Sequence, residues 1–296
     1  MKEKKLLLIV NPRSGKTQSR APLFDALEVF SDAGYLLKIH STAGPGDAAA
    51  TAAAEGAAYD AVVCVGGDGT LNETAAGLMK LENPPVLGYL PRGSTNDFAS
   101  SLQISKNPVS AARAAMSAPA RRLDVGRWNL RHFIYVASFG AFVRSSYAAS
   151  QAAKNALGHF AYILEGMKDL NTLRPYQVRL TADGEKLDGE YLFGAVCNST
   201  SIGGLMKLDP EHVVLDDGKF EMLLIPSPKS PLDLNDLILA LLNQEYDHGG
   251  LVFRHVSSVH VETDETLPWS LDGEYAPPVP AVDIENQRQA LSILLG

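Results

Sequence analysis

Val62-Val63-Cys64-Val65-Gly66-Gly67-Asp68-Gly69-Thr70-Leu71-Asn72-Glu73 is the stretch on which the reading of this chain turns. Four apolar residues in a row suit a parallel strand covered on both faces. The glycines that follow allow positive φ and let the backbone approach a ligand closely. A helix then opens, expected over Leu71 to Lys80, with Thr70 and Glu73 at capping-box spacing. Amides at a helix start, together with the positive end of its dipole, favour a phosphate. One glycine here would suggest a tight connection; three around an aspartate, at the carboxyl end of a parallel strand, suggest a phosphate-binding turn.

The same rhythm extends to either side. Strand patterns at Leu6 to Val10, Leu36 to Ser41, Ala61 to Val65 and Val86 to Leu90 alternate with helical patterns at Pro22 to Ala33 and Asp47 to Ala58. Such alternation predicts a parallel sheet with right-handed crossovers. Two further polar turns leave the same sheet edge. Asn11-Pro12-Arg13-Ser14-Gly15-Lys16 follows the first strand. Ser14-Gly15-Lys16-Thr17 ends like a Walker A loop, but Val10 stands where that motif needs its first glycine, so this is not a P-loop. Pro91-Arg92-Gly93-Ser94-Thr95-Asn96-Asp97 follows the fourth strand. There Ser94 or Asn96 could simply cap a helix, yet three such turns on one edge are better explained by a shared nucleotide cleft.

The style changes near Leu123. Longer strand patterns follow at His132 to Ser138, Tyr176 to Ala182, Tyr191 to Asn198, Phe220 to Ile225 and Val256 to Glu262. Asp183-Gly184 and Asp217-Gly218 are turn signals among them. Helical patterns at Arg144 to Leu170 and Leu232 to Gln244 interrupt this mainly antiparallel region.

Bulk properties narrow the classes. The chain has 296 residues, 46% hydrophobic and 20% charged, as expected of a folded globular protein. A net charge of −8 argues against broad nucleic-acid binding and against whole-molecule attraction to an anionic bilayer. Arg121, Arg122, Arg127 and Arg131 form the one dense basic stretch, read as a solvated face. Cys64 and Cys197 lie in apolar runs and read as buried thiols. The apolar run Leu6 to Val10 is too short for a signal-peptide core. Seven dispersed histidines lack zinc-ligand spacing, and no G-x-S-x-G elbow supports a hydrolase triad.

Taken together, Asn11 to Lys16, Gly66 to Glu73 and Pro91 to Asp97 resemble, in order and spacing, the bacterial diacylglycerol kinase catalytic-domain family. The resemblance continues through Leu123-Asp124-Val125-Gly126 and Val214-Leu215-Asp216-Asp217-Gly218 and ends at Leu271-Asp272-Gly273-Glu274-Tyr275. The glycine-aspartate-glycine-threonine element is shared with NAD kinases; the later motifs are more specific to lipid kinases. The fold implied has two domains of NAD-kinase/diacylglycerol-kinase type. An N-terminal parallel α/β nucleotide domain (1–125) precedes a C-terminal antiparallel β-sandwich lipid-substrate domain (126–285). The last strand (286–296) is expected to return toward the first domain.

The resemblance also implies ATP and Mg²⁺ as cofactors and assigns roles. Asn11, Pro12, Arg13, Ser14, Gly15, Thr42, Gly67, Asp68, Gly69, Thr70, Leu71, Asn72, Glu73 and Ser94 correspond to nucleotide contacts. Glu274 corresponds to the proton acceptor, with Asp272 the alternative. Val214, Asp217 and Lys219 match a magnesium site that uses two main-chain carbonyls. Asp68, Asp97 and Asp124 match acidic positions linked to the catalytic magnesium through water. Arg92 and the Ile202-to-Met206 loop depart from the commonest family pattern, which bears on substrate choice.

Phosphoryl transfer needs charge neutralisation, in-line positioning and a group that orients or deprotonates the attacking hydroxyl. Carboxylates holding magnesium through water suit the first need, and a general base the last. From spacing alone, Asp216-Asp217-Gly218 and Asp272-Gly273 also read as plain turns. The expected acceptor is diacylglycerol; a sphingoid base, phosphatidylglycerol or NAD, and a non-catalytic nucleotide-binding homologue, are the alternatives. A lipid substrate implies a cytoplasmic protein in transient contact with the inner membrane face, and family analogy suggests a homodimer. The apolar segments at 144–170 and 232–242 read first as core-facing helices and second as membrane-facing ones.

Overall fold

Leu6, Leu7, Leu8 and Ile9 are all buried because the sheet they enter is covered on both sides. The computed structural model describes residues 3–15, 21–93, 96–140, 174–202, 206–246, 248–264 and 266–295. It divides into two units, Met1–Asp124 with Gln289–Gly296, and Val125–Arg288. The helix expected at 144–170, Ser94, and the centre of the Ile202-to-Met206 loop lie outside the described residues.

The first unit holds strands β1 (Lys4–Val10), β2 (Tyr35–Ser41), β3 (Ala61–Gly66) and β4 (Val86–Pro91). They pair in parallel in the order β4-β3-β1-β2. Adjacent residues on a strand face opposite ways. Leu6, Leu8, Val63 and Val65 therefore pack with Ala26 and Phe30 of α1 (Ala21–Asp32) and with Ala111 and Ala112. Their neighbours on the strands turn to the other face, the side of the paired helices α2 (Asp47–Glu55) and α3 (Asp68–Leu78). Two more helices, α4 (Asp97–Ser101) and α5 (Pro108–Ser117), follow β4. The Ala-rich helix ends at Glu55 rather than Ala58, and its last turn tightens to 3₁₀ over Gly56–Ala58.

The chain leaves this unit within β5 (Arg121–Trp128) and returns within β18 (Ala281–Ile293). The end of β18 adds to the parallel sheet, where Ile293 pairs with Leu87 and the Leu294 amide donates to the Leu87 carbonyl at 2.8 Å.

In the second unit, β6 (Arg131–Phe133), β7 (Val136–Gly140), β8 (Tyr176–Ala182), β9 (Glu185–Lys186) and β10 (Gly189–Cys197) come first. Short strands β11 (Ser201–Ile202) and β12 (Met206–Lys207) pair with each other. Then come β13 (Phe220–Pro226), helix α6 (Pro231–Asn243), β14 (Val252–Val256), β15 (Ser258–Glu262), β16 (Trp269–Leu271) and β17 (Glu274–Ala276). Pairing among these strands is antiparallel. One end of β10 pairs with β8 and the other with β7, so this strand joins the two layers of a β-sandwich. Between the layers lie Trp128, Phe133, Phe139, Phe220, Trp269 and aliphatic neighbours, the two indoles meeting edge-on at 5.8 Å. Helix α6 turns Leu234, Leu237 and Ala240 inward, but Leu232, Leu239 and Leu242 face solvent.

Two strands expected to be continuous are broken. The stretch 132–138 is interrupted after Phe133, and the amides of Ile134, Tyr135 and Val136 donate to the Asp272 carboxylate at 2.7, 2.9 and 2.9 Å. Likewise 256–262 is interrupted at Ser257. There the Asp183 carboxylate takes the amides of Ser257 and Ser258 at 2.9 and 2.8 Å, and both hydroxyls as well. A side-chain acceptor from a distant turn satisfies the amides that a strand partner would otherwise take.

Candidate active site

Four loops at the carboxyl ends of β1 to β4 are sewn together by hydrogen bonds. The amide of Asn11 donates to the Val65 carbonyl at 2.9 Å, and the amide of Thr42 to the Val10 carbonyl at 2.9 Å. The Arg92 amide donates to the Gly66 carbonyl at 2.6 Å. Side chains complete the seam: Asn11 Nδ2 donates to Thr70 Oγ1 at 3.0 Å, and Glu73 Oε1 accepts from the Gly46 amide at 2.8 Å.

These contacts correct the capping-box expectation. Helix α3 begins at Asp68, earlier than Leu71, with Gly67 at the cap and no side-chain cap bond. Thr70 and Glu73 instead face neighbouring loops, because tertiary partners outcompete a local bond of similar worth. The glycines are demanded by space. A Cβ on Gly66 would stand 2.6 Å from Thr70 Cβ, and one on Gly93 would stand 2.7 Å from Gly67 Cα. The third turn therefore rests directly on the glycine turn.

Within this seam lie Asn11, Pro12, Arg13, Ser14 and Gly15, with Gly15 at φ 65° and the Ser14 hydroxyl on the Asn11 carbonyl at 2.8 Å. Gly67, Asp68, Gly69 and Thr70 form the first turn of α3; Leu71 and Asn72 are buried, and the Leu71 amide donates to the Gly67 carbonyl at 3.0 Å. Thr42 heads a loop held by Asp47, whose carboxylate takes the Ala43 amide at 2.7 Å and approaches His40 Nε2 at 3.2 Å. The Ala43 amide first, then His40, hold the Asp47 carboxyl below its ordinary range.

Asp68 is the acid most closely built into the seam. Its Oδ2 accepts the Asp97 amide at 3.3 Å, while its Oδ1 is buried without a partner. Burial pushes its carboxyl up, against the opposing pull of the Asp97, Phe98, Asn96 and Asp68 amides. Asp97 itself is buried at the start of α4. Asp124, on β5, is 1% exposed, and its Oδ1 accepts the Gln289 amide at 2.7 Å, where the chain turns to φ 50°. Asp124 thus shapes the point at which β18 re-enters the first unit.

The remaining predicted residues belong to the second unit. Asp272 and Gly273, both at positive φ, make the two-residue hairpin turn between β16 and β17. Asp272 is 2% exposed and gives its oxygens to the amides of residues 134–136, whereas Glu274 begins β17 exposed to solvent. Val214, Asp217 and Lys219 lie on an exposed loop, where Asp217 Oδ1 accepts the Lys219 amide at 2.9 Å. Among the described residues, no three His, Cys, Asp or Glu side chains gather as a metal cluster. A pocket of about 760 Å³ lies between α6 and residues 226–229 and 248–250, and no predicted site residue lines it.

Sequence reasoning missed Asn96 as more than a cap. It occupies the cap position at φ 54° with no cap bond, and its side chain folds back to the Gly93 amide and carbonyl, each at 2.8 Å. The general tendency of Asn to adopt the left-handed region and bond nearby backbone is the one local signal that points this way.

Comparison with known proteins agrees with this architecture. A family model for the diacylglycerol kinase catalytic domain matches residues 5–128, and one for the YegS C-terminal NAD kinase beta sandwich-like domain matches 136–295. A diacylglycerol kinase of Bacillus subtilis (strain 168) is 34% identical over 281 residues, covering 94% of this chain and 92% of that protein. One from Staphylococcus aureus (strain MRSA252) is 32% identical over 288 residues, covering 96% and 90%. The crystal structure of a diacylglycerol kinase from Bacillus anthracis str. Sterne superposes with a TM-score of 0.78 at 26% identity, covering 100% of this chain and 98% of that one. The enzyme class that follows is a phosphotransferase with an alcohol acceptor. With its glycine turn, parallel sheet and β-sandwich, the chain belongs to the diacylglycerol kinase catalytic-domain family.

Proposed function

We propose that this chain transfers the γ-phosphate of ATP, in a Mg²⁺-dependent reaction, to the free hydroxyl of diacylglycerol, giving phosphatidic acid. The observation that carries this reading is Asp68, a buried carboxylate at the first turn of α3 with one oxygen on the Asp97 amide and the other unpartnered. An orphaned carboxylate oxygen beside a glycine turn is a fit place for a water or cation carried with a triphosphate. Bound there with the nucleotide, magnesium would supply charge neutralisation on the phosphate oxygens.

The protein's own residues do the rest. Amides of the Gly67-to-Thr70 turn bind phosphate oxygens, and the Asn11–Thr70 bond keeps that turn from opening. Asp97 and Asp124 are buried acids of the same unit and complete the acidic framework. Glu274 takes the proton from the lipid hydroxyl as its oxygen attacks. Asp272, whose oxygens are committed to three amides, holds the hairpin that presents Glu274. Asp217, through its carboxylate, and Val214 and Lys219, through main-chain carbonyls, would give a second magnesium the oxygen ligands a hard cation prefers.

No helix among the described residues is long and apolar enough to cross a membrane. In this reading the lipid is taken by transient contact with the inner membrane face, for which exposed Leu232, Leu239 and Leu242 are suited. A homodimer is part of the same reading, by analogy with the family.

The acceptor is tested by incubating the protein with radiolabelled ATP, Mg²⁺ and, separately, diacylglycerol in mixed micelles, a sphingoid base, phosphatidylglycerol and NAD. NAD is included because the β-sandwich matches a domain described as NAD kinase-like. Label in phosphatidic acid alone is expected. Label in another product, or in none while ATP still binds, would overturn the acceptor assignment.

A further inference from the structure

Tyr89 lies on β4, outside every motif quoted from the sequence, and is 3% exposed. Its hydroxyl donates to Asn96 Oδ1 at 3.2 Å. The same oxygen accepts the Gly93 amide, and Asn96 Nδ2 donates to the Gly93 carbonyl, both at 2.8 Å. Asn96 is 2% exposed and held in the left-handed region, while its carbonyl starts α4 by accepting the Ser100 amide at 3.0 Å. What this clasp restrains is the segment that touches the glycine turn twice. The Arg92 amide lies on the Gly66 carbonyl, and Gly93 is pressed against Gly67. Beyond the clasp, the Asp97 amide reaches Asp68.

We infer that Tyr89 and Asn96 are positioning residues of the nucleotide site, a buried clasp that seats the third turn on the glycine turn and holds Asp68 in register. The inference rests on the kinase reading above for the ligand, but the clasp itself is a matter of geometry. Burial, with Asp68, Cys64 and Asp97 nearby, pushes the Tyr89 phenol far above its ordinary range, so the hydroxyl stays a donor at every working pH. An Asn at this position serves two needs at once. It tolerates positive φ, and its amide offers both an acceptor and a donor to one residue.

The test uses the full chain and two variants. Tyr89→Phe removes only the hydroxyl; Asn96→Gly keeps the left-handed backbone and removes the clasp. Titration calorimetry with ATP is read beside kcat, KM for ATP, KM for diacylglycerol and the melting temperature. A lost buried hydrogen bond corresponds to about 3–10-fold weaker ATP binding for Tyr89→Phe, and loss of the whole clasp to more than roughly tenfold for Asn96→Gly. KM for the lipid is expected to stay within about twofold, because a fold that is merely less stable lowers the active fraction without moving one KM alone. Unchanged ATP affinity in Tyr89→Phe, or in both variants where Asn96→Gly folds, would overturn the clasp. If the parent chain binds ATP but labels no lipid while the variants bind ATP more weakly, the clasp stands and the kinase reading falls. If the parent labels diacylglycerol and the variants bind ATP equally well, the reverse holds.

Discussion

Asn11 and Thr70 are 59 residues apart in sequence, and Asn11 Nδ2 donates to Thr70 Oγ1 across 3.0 Å. That bond joins the loop after β1 to the first turn of α3, so the two proposed phosphate-facing segments move as one. Asn11→Ala removes it without touching the sheet below. Nucleotide affinity is expected to fall about 5–30-fold, the effect of losing roughly 1–2 kcal/mol of preorganisation. Calorimetric titration of ATP into Asn11→Ala, Thr70→Val and the double variant checks this. Strictly additive losses in the double variant would show that the two side chains act separately.

Glu274 and Asp272 are neighbours with different predicted roles. Glu274→Gln should lower kcat by about 10²–10⁴-fold, the usual worth of a general base, with ATP affinity and melting temperature unchanged. Asp272→Asn turns a donor toward the Ile134 amide and should destabilise the fold by on the order of 2–3 kcal/mol. Steady-state kinetics beside denaturant unfolding separates the two. Full turnover in Glu274→Gln would remove it from the mechanism.

Asp68 carries a testable sign. Burial raises its carboxyl above the unfolded value, so the folded state holds that proton more tightly than the unfolded chain. Its contribution to stability is therefore present below the unfolded value of about 3.9 and is lost as pH rises through the folded one. Above that range a buried charge is a standing cost, and the neutral amide of the Asp68→Asn variant does not carry it. Asp68→Asn should thus melt higher than the parent at about pH 7.5 and converge with it below about pH 4, while phosphoryl transfer is lost. Equal melting temperatures at neutral pH would contradict this account.

Asp183 runs the other way. Burial alone would raise its carboxyl, but the amides and hydroxyls of Ser257 and Ser258 outweigh that and lower it. Its stabilisation is complete above the unfolded value of about 3.9 and is lost as pH falls through the lower folded value. Acid unfolding followed by circular dichroism should cost the parent more stability than Asp183→Asn over that interval. Parallel acid profiles would mean that the turn does not depend on the ionised carboxylate.

Much of the first unit was legible because its signals are local. Continuous apolar runs, helices closed at glycine, and the polar turns after the first, third and fourth strands all lie within a few residues of one another. The breaks at Ile134 and Ser257 were not legible. Asp272 lies 138 residues beyond Ile134, and Asp183 lies 74 residues before Ser257. Propensity along 132–138 and 256–262 favours unbroken strands, and only an acceptor arriving from elsewhere makes an interruption stable. The supposed cap of Thr70 and Glu73 failed for the same reason.

The sequence by itself determined that a glycine turn closes a buried parallel strand, that two like turns share its sheet edge, and that a β-rich half follows. Those features follow from side-chain periodicity and backbone freedom, which are properties of neighbouring residues. Tertiary structure alone decided what the polar groups in those turns address across the chain: Thr70 to Asn11, Glu73 to Gly46, Asn96 to Tyr89, and Asp68 to the Asp97 amide. A hydrogen bond requires approach within about 3 Å in space, and separation along the chain carries no record of that distance.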